Sequence, residues 1–373
     1  MRNPMREMLI LLLIVLPIYS AGQAREITDV LGRKIEIPDN VQRVICSGSG
    51  CLRLLTYLGG QDKVVAVDDI EKRRNQFDAR PYALANPQFK SLPVFGEFRG
   101  KDNPELIMTL QPAPDVIFKL VGTGKGTAGI DPDTLQAKVG IPVVALKYGN
   151  LGMMRSDLYT AIRLMAEVIG REKRAEDLLS YIDAQIAELE RRTQNIPEDK
   201  RPTVYLGGVA YAGPHGFQST EPTYPPFQFI NVKNLVADSN ATVKEVTNTN
   251  IAKEQIVAWN PEYLFLDLST LQLGENAGGL YELQTDEAYQ MLDAVRRGNI
   301  YGVLPYNWYN QNFESILANA YYIGTIVYPA RFNDIDPAKK ADEIYTFFVG
   351  KPVFGQMRES FKGKAFQKIA LGK

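Results

Sequence analysis

The chain has little of the two residue types that most often hold bare metal ions. A single histidine, His215, and two cysteines, Cys46 and Cys51, occur in 373 residues. Sites for bare zinc combine several histidine or cysteine side chains, and imidazole is the commonest metal ligand in proteins. One histidine can contribute a ligand but cannot build such a site alone. We therefore expect that any metal reaches this protein already chelated.

An excess of charge of one sign and the common catalytic motifs are also missing. Lys and Arg number 42 against 43 Asp and Glu, a formal net charge of −1, whereas a nucleic-acid binder normally shows a basic excess. A local basic patch remains an alternative. The Gly-x-Ser-x-Gly elbow and the His-Glu-x-x-His zinc motif do not occur, which argues against an enzyme, including a hydrolase that uses His215. Residues 122–127 lack the full spacing of a phosphate loop, so ATP binding is not expected.

Long hydrophobic runs are lacking except at the N-terminus. Arg2 and Arg6 precede an apolar run over 8–16, and small residues follow at positions 20, 21, 22 and 24. This layout predicts a secretory signal over residues 1–24. The run is shorter than the roughly 20 residues that a membrane span needs, although an uncleaved anchor remains an alternative. With no cysteine near the cleavage region, we do not expect a lipid-anchored lipoprotein.

Export would place the two cysteines in a setting where disulfides persist. Cys46 and Cys51 would close a very short loop, and such a loop gains little chain-entropy stabilisation. Two free thiols remain an equal alternative, because disulfide geometry cannot be derived from the sequence.

Two stretches of the chain have the same pattern, at 104–118 and 253–265. In each, Glu is followed two residues later by Ile, five residues later by a large apolar residue and seven residues later by Pro. An acidic residue and an apolar run come next. The pattern predicts a short helix that stops at a proline and leads into a buried strand. A unit used twice, about 150 residues apart, indicates two similar α/β lobes with a ligand cleft between them.

The rest of the chain agrees with this organisation. Strand and helix patterns alternate on both sides of residues 155–194, which predicts parallel sheets covered by helices. Over 155–194 the apolar residues recur at helical spacing, interrupted only by Gly170. This pattern predicts one long helix or two helices that meet near Gly170. The predicted domains are a signal peptide at 1–24, an N-terminal lobe at 25–152, a connecting backbone helix at 153–196, and a C-terminal lobe with C-terminal helices at 197–373.

In their order, these motifs resemble the periplasmic substrate-binding proteins for iron complexes and cobalamin, which feed ABC importers. Residues 27–33 resemble the opening hairpin of that family, 43–59 its first strand and helix, and 155–194 its backbone helix. The resemblance covers about residues 26–350. It implies an α/β protein with two Rossmann-like lobes, central β-sheets and a single long connecting α-helix, known as a class III periplasmic binding protein.

The resemblance also implies where the membrane partner binds. In that family one surface glutamate on each lobe docks onto arginines of the permease, and the matching positions here are Glu105 and Glu254. Two fixed carboxylates on matching lobes would make a two-point electrostatic contact. Each glutamate also suits the N-terminus of its helix, whose dipole favours an acid there. The two roles are compatible.

Ligands of doubly wound lobes bind beyond the carboxyl ends of the strands. That rule selects the loops at 47–50, 96–99, 119–125, 148–150, 207–220, 267–270 and 306–312. The turn at 47–50 precedes a helix and could hold an anion, or it is a plain tight turn. His215 could ligate a metal or stack on a ligand. The candidate ligand-binding residues are Ser47, Ser49, Glu97, Arg99, Lys119, Tyr148, Tyr211, His215, Phe217, Tyr306, Trp308 and Tyr309.

Nineteen tyrosines, several of them in these loops, suit an aromatic-walled pocket for a bulky planar or chelated ligand. The function predicted is therefore that of an exported, monomeric binding protein without a cofactor. It would capture an iron complex, such as a siderophore, haem or a similar Fe(III) chelate, and deliver it to an ABC permease and its ATPase. A cobalamin or corrinoid binder of the same family, or a periplasmic ligand sensor, is the alternative.

Overall fold

The computed structural model describes residues 24–73, 76–122, 129–239 and 248–371. All but the last residue of the predicted signal peptide lies outside the described residues, as do positions 123–125 of the loop at 119–125. Within the described ranges, no helix combines the length and the apolar composition that a membrane crossing requires.

The first lobe begins with an antiparallel hairpin of β1 (Ala24–Thr28) and β2 (Lys34–Pro38), as expected from the glycine turn. Its central sheet is parallel, in the order β3-β7-β8, and a smaller sheet has the order β4-β5-β6. The remaining strands are β3 (Val44–Ser47), β4 (Val67–Asp68), β5 (Val94–Glu97), β6 (Lys101–Asp102), β7 (Val116–Leu120) and β8 (Val143–Leu146). The helices are α1 (Cys51–Tyr57), α2 (Pro81–Ala85), α3 (Pro104–Thr109) and α4 (Pro132–Val139).

Two helices follow the first lobe, where the sequence predicted one connecting helix over 153–196. Helix α5 (Arg155–Ile169) ends at Gly170, whose φ of +68° stops it, and α6 (Glu172–Thr193) folds back along it. Arg163 on α5 and Glu176 on α6 pair at 2.7 Å, which a continuous helix would not allow. Of the two predicted arrangements, two helices that meet near Gly170 are therefore observed, because a glycine in the left-handed conformation suits a helix C-terminus.

Helix α6 connects the lobes. Near its start, Arg174 donates to the Tyr57 carbonyl of the first lobe at 2.9 Å, and at its end Thr193 accepts from Asn231 of the second at 3.0 Å. Its 22 residues span about 33 Å at 1.5 Å per residue. Leu178, Ile182 and other apolar residues at helical spacing bury one face of α6, so the connection is packed along its length.

The second lobe has one parallel sheet in the order β11-β9-β13-β14 and a short antiparallel pair, β10 with β12. The strands are β9 (Thr203–Gly207), β10 (Ser219–Thr220), β11 (Lys233–Asn234), β12 (Thr249–Asn250), β13 (Tyr263–Asp267) and β14 (Ile300–Val303). The helices are α7 (Pro225–Phe229), α8 (Leu235–Ser239), α9 (Lys253–Trp259), α10 (Gly278–Thr285), α11 (Glu287–Gln290) and α12 (Asp293–Arg297). Two lobes with parallel central sheets confirm the predicted fold class.

The C-terminal helices are α13 (Phe313–Val327), α14 (Pro337–Val349) and α15 (Phe354–Ser360). Helix α13 packs against α7 of the second lobe, and α14 packs against α1 and α2 of the first. Phe348 of α14 meets the Tyr57 ring of the first lobe at 4.9 Å, and Lys351 donates to the Ala85 carbonyl at 2.6 Å. Helices α13 and α14 thus contact both lobes, in addition to α6.

The repeated pattern is confirmed as structure. Helix α3 leads into β7 and helix α9 leads into β13, and both strands are almost wholly buried in their central sheets. Glu105 and Glu254 each lie in the first turn of their helix and are exposed. The two helices thus occupy equivalent places in the two lobes.

Candidate functional site

The lobes meet at Arg53, a residue of α1 whose side chain is fully buried. Its Nε donates to the side-chain oxygen of Asn312 at 3.0 Å, and its Nη2 donates to the carbonyls of Trp308 and Tyr309, both at 3.0 Å. Its Nη1 donates to the Tyr148 hydroxyl at 2.8 Å. Three of these four acceptors belong to the second-lobe loop 306–312. Arg53 is therefore the centre of the contact between the lobes.

Tyr148, at the carboxyl end of β8, extends the same contact. Its hydroxyl accepts from Arg53 and donates to the Gln311 carbonyl at 2.6 Å, and its ring stacks on Phe313 at 5.4 Å. The ring also lies against Gly50, where an added Cβ would come within 2.4 Å of it. Gly50, which follows β3, is thus required for the ring of Tyr148 to reach the second lobe.

Loop 306–312 follows β14 and is held in an unusual backbone conformation. Tyr309 and Asn310 have φ values of 52° and 71°, a region that costs a non-glycine residue about 1–3 kcal/mol. The Asn310 amide donates to the Ser49 carbonyl at 2.9 Å, and the Tyr309 hydroxyl donates to the carboxylate of Asp68. Bonds to the first lobe therefore hold the loop in this conformation.

Two carboxyl groups near this contact, Asp68 and Glu314, are buried and make no salt bridge among the described residues. Burial, followed by the neighbouring Glu71, raises the pKa of Asp68 to about 8. Burial also raises the pKa of Glu314 to about 7, although Arg53 and the Tyr57 hydroxyl oppose the shift. One oxygen of each carboxyl group has no hydrogen-bond partner among the described residues. Both groups favour the protonated form, since burial penalises the charged one.

The second lobe adds two more buried acids at the ends of its strands. Tyr306 donates to Glu221, and burial raises the pKa of Glu221 to about 8. Asp267, at the end of β13, accepts from the Ser269 amide at 2.8 Å, and burial raises its pKa to about 7. Neither acid makes a salt bridge with a described cation. Asn307 donates to the Ala210 carbonyl at 2.6 Å and so ties loop 306–312 to the loop at 207–220.

Residues 44–306 match the family model described as periplasmic binding protein. The chain belongs to the periplasmic binding protein family. That family consists of solute-binding proteins, and it implies an extracytoplasmic location and service to an ABC transporter. The match covers both central sheets, helix α1 with Arg53 and the loop with Tyr148, and it ends at Tyr306.

Similar proteins cover most of this periplasmic binding protein. The molybdate-binding protein MolA of Haemophilus influenzae is 21% identical over 360 residues, covering 92% of this chain and 96% of MolA. The structure of MolA bound to molybdate has a TM-score of 0.64 at 20% identity and covers 88% of this chain and 98% of its own.

Two further solved structures share the fold. A periplasmic solute-binding protein from Veillonella parvula has a TM-score of 0.68 at 18% identity, covering 91% of this chain and 97% of its own. The haem-binding protein HutB of Vibrio cholerae has a TM-score of 0.53 at 21% identity, covering 77% and 99%. At this level of identity, the likeness demonstrates the fold alone.

Four of the twelve candidate ligand-binding residues meet where the lobes of the periplasmic binding protein touch. Tyr148, Trp308 and Tyr309 contact Arg53 directly, and Ser49 accepts from Asn310 of the same loop. Arg99 is close by, because its guanidinium lies over the Phe98 ring at 5.0 Å and that ring lies 6.2 Å from Tyr309.

The other candidates lie apart from this contact, or their side chains already form ion pairs or hydrogen bonds. Lys119 is buried, where it pairs with Asp102 and donates to Ser47 at 3.3 Å. Glu97 is exposed and pairs with Lys101 at 3.2 Å. In the loop at 207–220, Tyr211 is exposed and its carbonyl lies 2.7 Å from a ring nitrogen of the half-buried His215.

Two candidates are buried in the structure. Phe217 is fully buried between Tyr205 and Tyr289, where it packs against Gly207 and supports the loop from within. Tyr306 is also buried, with its hydroxyl bonded to Glu221. Aromatic residues in a glycine-rich loop thus divide into those that meet the other lobe and those that fill the core. The sequence pattern cannot separate the two.

The two cysteines are free thiols in the structure, and both are buried beneath the turn at 47–50. Burial raises the pKa of Cys46 well above its ordinary value, and the adjacent Cys51 adds to the shift. Cys51 also lies 3.7 Å from the Phe118 carbonyl. Over the described ranges, no group of three His, Cys, Asp or Glu side chains is arranged to hold a metal ion.

Sequence reasoning missed Arg53, which is the residue that organises the site. The available signal was a lone arginine in α1, where every residue is buried. A cation at such a position requires acceptors from elsewhere in the fold. It also missed the buried acids Asp68, Glu221 and Glu314, whose partners are supplied by distant elements.

Proposed function

We propose that this protein is the extracytoplasmic solute-binding component of an ABC importer and that it captures an iron complex between its lobes. A siderophore, haem or a similar Fe(III) chelate would fit this role. The observation that carries the proposal is the convergence of the Tyr148 hydroxyl and of the Trp308 and Tyr309 backbone carbonyls on the buried cation of Arg53. Aromatic surface suits a bulky chelate, and a guanidinium suits the negative oxygens that iron chelates present. The haem-binding HutB shares the fold.

We further propose that Glu105 and Glu254 dock on the permease. Both are exposed in the first turns of equivalent helices, one on each lobe. Both lie on short helices that lead into the central strands rather than on the loops that surround Arg53. They can therefore meet a membrane partner while the cleft holds its solute.

Binding can be tested with the purified chain and a panel of haemin, ferric citrate, a ferric catecholate, a ferric hydroxamate, cyanocobalamin and sodium molybdate. We expect an iron complex to raise the melting temperature and to change tryptophan fluorescence. A ligand at a hundredfold excess over its Kd adds about 2.7 kcal/mol of stability. The chain has two tryptophans, which supply a matched pair of variants. Trp308→Phe should abolish the fluorescence response, and Trp259→Phe, on α9, should retain it.

The outcome of the panel separates the alternatives. Binding of cyanocobalamin alone would replace the iron complex with a corrinoid. If no member of the panel stabilises the protein, the proposal fails.

Molybdate is a second candidate, and two observations favour it. Arg53 is a buried cation whose hydrogen-bond acceptors are all neutral, and MolA binds molybdate and matches nearly the whole chain. A small dianion would need less space between the lobes than a chelate. Stabilisation by sodium molybdate but by none of the iron complexes would establish this candidate over the first.

A further inference from the structure

Arg53 is a buried cation that lies more than 4 Å from every described carboxylate. Its four hydrogen bonds end on two backbone carbonyls, one amide oxygen and one phenol. Hydrogen bonds to an ionised acceptor are about twice as strong as those to neutral groups. An anion placed at this guanidinium would therefore bind it more strongly than loop 306–312 does.

The loop that supplies the carbonyls is itself held at a cost. Tyr309 and Asn310 adopt positive φ, and their conformation depends on bonds to Asp68 and Ser49 of the first lobe. The side-chain oxygen of Gln311, in the same loop, is buried without a hydrogen-bond partner among the described residues. Strained backbone and an unsatisfied buried acceptor both raise the free energy of the closed loop. The loop can thus be displaced at less cost than its four bonds to Arg53 and Asp68 suggest.

We propose that loop 306–312 is an internal gate and that Arg53 exchanges the Trp308 and Tyr309 carbonyls for negatively charged oxygens of the solute. The solute class is an oxyanion, either a carboxylate or catecholate group of a ferric chelate or the oxygens of a molybdate-like ion. This inference rests on the proposed solute-binding function and adds which group of the solute is recognised. In this structure the lobes are closed by contacts of the protein with itself.

A gate of this kind makes an unusual prediction. Because the closed loop competes with the solute, the apparent Kd is the intrinsic Kd divided by the fraction of molecules with the gate open. Weakening the closed loop should therefore tighten binding. Tyr309→Phe removes the hydroxyl that bonds Asp68 and keeps the aromatic ring. Losing one such bond, worth about 1 kcal/mol, should lower the apparent Kd about fivefold while lowering the melting temperature of the free protein.

The test measures Kd by calorimetry for sodium molybdate, ferric citrate and the uncharged corrinoid cyanocobalamin. The variants are Arg53→Gln, Arg53→Lys and Tyr309→Phe, with Arg163→Gln, an exposed arginine of α5 paired with Glu176, as the matched control. We expect Arg53→Gln to weaken binding of the anionic probe by about 100-fold or more. Arg53→Lys should lose less, and Arg163→Gln should bind like the wild type. Whichever anionic probe binds distinguishes a chelate from a molybdate-like ion.

Each other outcome has a defined meaning. If only cyanocobalamin binds, or if Arg53→Gln binds an anionic probe as tightly as the wild type, the inference is wrong and the solute-binding function stands. If no probe binds, both fail. If Arg53→Gln does not fold, the Kd values of Arg53→Lys and Tyr309→Phe provide the test instead. Tighter binding by Tyr309→Phe supports the gate, and unchanged or weaker binding overturns it.

Discussion

The two lobes share a topology but treat buried charge in opposite ways. The first lobe buries cations next to ionisable partners, with Arg80 between Glu71 at 3.0 Å and Asp78 at 2.8 Å, and with Lys119 beside Asp102. The second lobe buries the acids Glu221 and Asp267 without a cationic partner, and their pKa values rise to about 8 and about 7 through burial. These first-lobe cations are neutralised by ion pairs and these second-lobe acids by protons, whereas Asp68 of the first lobe, whose pKa burial raises to about 8, follows the second pattern.

This difference determines what each wall of the cleft offers a solute. A protonated acid carries no charge, so the second lobe approaches Arg53 with neutral carbonyls, amides and hydroxyls. An ionised Glu221 or Asp267 would repel an anion, because two like charges in a medium of low dielectric interact strongly. The asymmetry therefore leaves Arg53 as the charge that a solute would meet under the proposed function.

The largest effect is expected from breaking the ion cluster of the first lobe. Arg80→Met would leave Glu71 and Asp78 buried without their cation, and removing one partner of a buried pair costs about 3–5 kcal/mol. Urea unfolding at pH 7 measures this loss. Arg43→Met, at an exposed pair with Asp115, is the control and should cost less than about 1 kcal/mol. A small loss for Arg80→Met would mean that the acids of the first lobe are also neutral.

Two glycines, one in each lobe, lie against aromatic rings and allow the cost of these close contacts to be compared. An added Cβ at Gly50 would come within 2.4 Å of the Tyr148 ring, and one at Gly207 within 2.3 Å of the Phe217 ring. Each Gly→Ala substitution should cost about 1–3 kcal/mol from overpacking. Gly50→Ala should cost more, because its φ of +95° adds backbone strain.

Gly32→Ala separates the two contributions to the Gly50 result. Gly32 has a φ of +76° and nothing within 4 Å of an added Cβ, so it reports strain alone. Chemical denaturation of the three variants gives the comparison. Equal losses at Gly32 and Gly50 would show that the Tyr148 contact contributes no cost.

The local features of the fold could be predicted from the sequence. The hairpin at β1 and β2, the helices α3 and α9, and the strands after them follow from turn residues, prolines and apolar periodicity within some ten residues. The choice between one helix and two over residues 155–194 could not be predicted. A glycine in a helical pattern either continues the helix at a cost or ends it, and Gly170 ends it.

The site was less predictable because its contacts join distant parts of the chain. Arg53 and Asn312 are separated by 259 residues, and Tyr148 and Gln311 by 163. The strand-end rule selected loops that meet at the interlobe contact, including 306–312, because it depends only on topology. It could not separate Tyr309, which meets the other lobe, from Phe217, which fills the core against Gly207.

The proton-neutralised acids of the second lobe make stability depend on pH. The pKa values of Glu221 and Asp267 in the folded protein lie above their ordinary values near 4. Between about pH 4 and 8 the folded state therefore holds protons that the unfolded state has lost, and stability falls as the pH rises. The melting temperature should decrease from pH 5 to 8. Asp68 and Glu314 of the interlobe contact add to this slope, since burial also raises their pKa values.

Glu221→Gln removes one of these titrations and keeps an acceptor for Tyr306. Its loss of stability between pH 5 and 8 should be smaller than that of the wild type, and at pH 8 the variant should be the more stable of the two. Glu190→Gln, at an exposed position of α6, is the control and should keep the wild-type slope. An unchanged slope for Glu221→Gln would mean that Glu221 is ionised in the folded protein.

The smallest effect on stability is expected where the lobes are most alike. Glu105 and Glu254 are exposed in the first turns of α3 and α9, so Glu105→Ala and Glu254→Ala should each change the unfolding free energy by at most about 0.5 kcal/mol. Solute affinity should also be unchanged, because neither carboxylate takes part in the contacts around Arg53.

Transport into vesicles that hold the cognate permease and ATPase should fall for each variant and fall further for the double variant. Glu190→Ala should transport like the wild type. Full transport by the double variant would remove the docking role and leave the two glutamates as helix N-terminal acids.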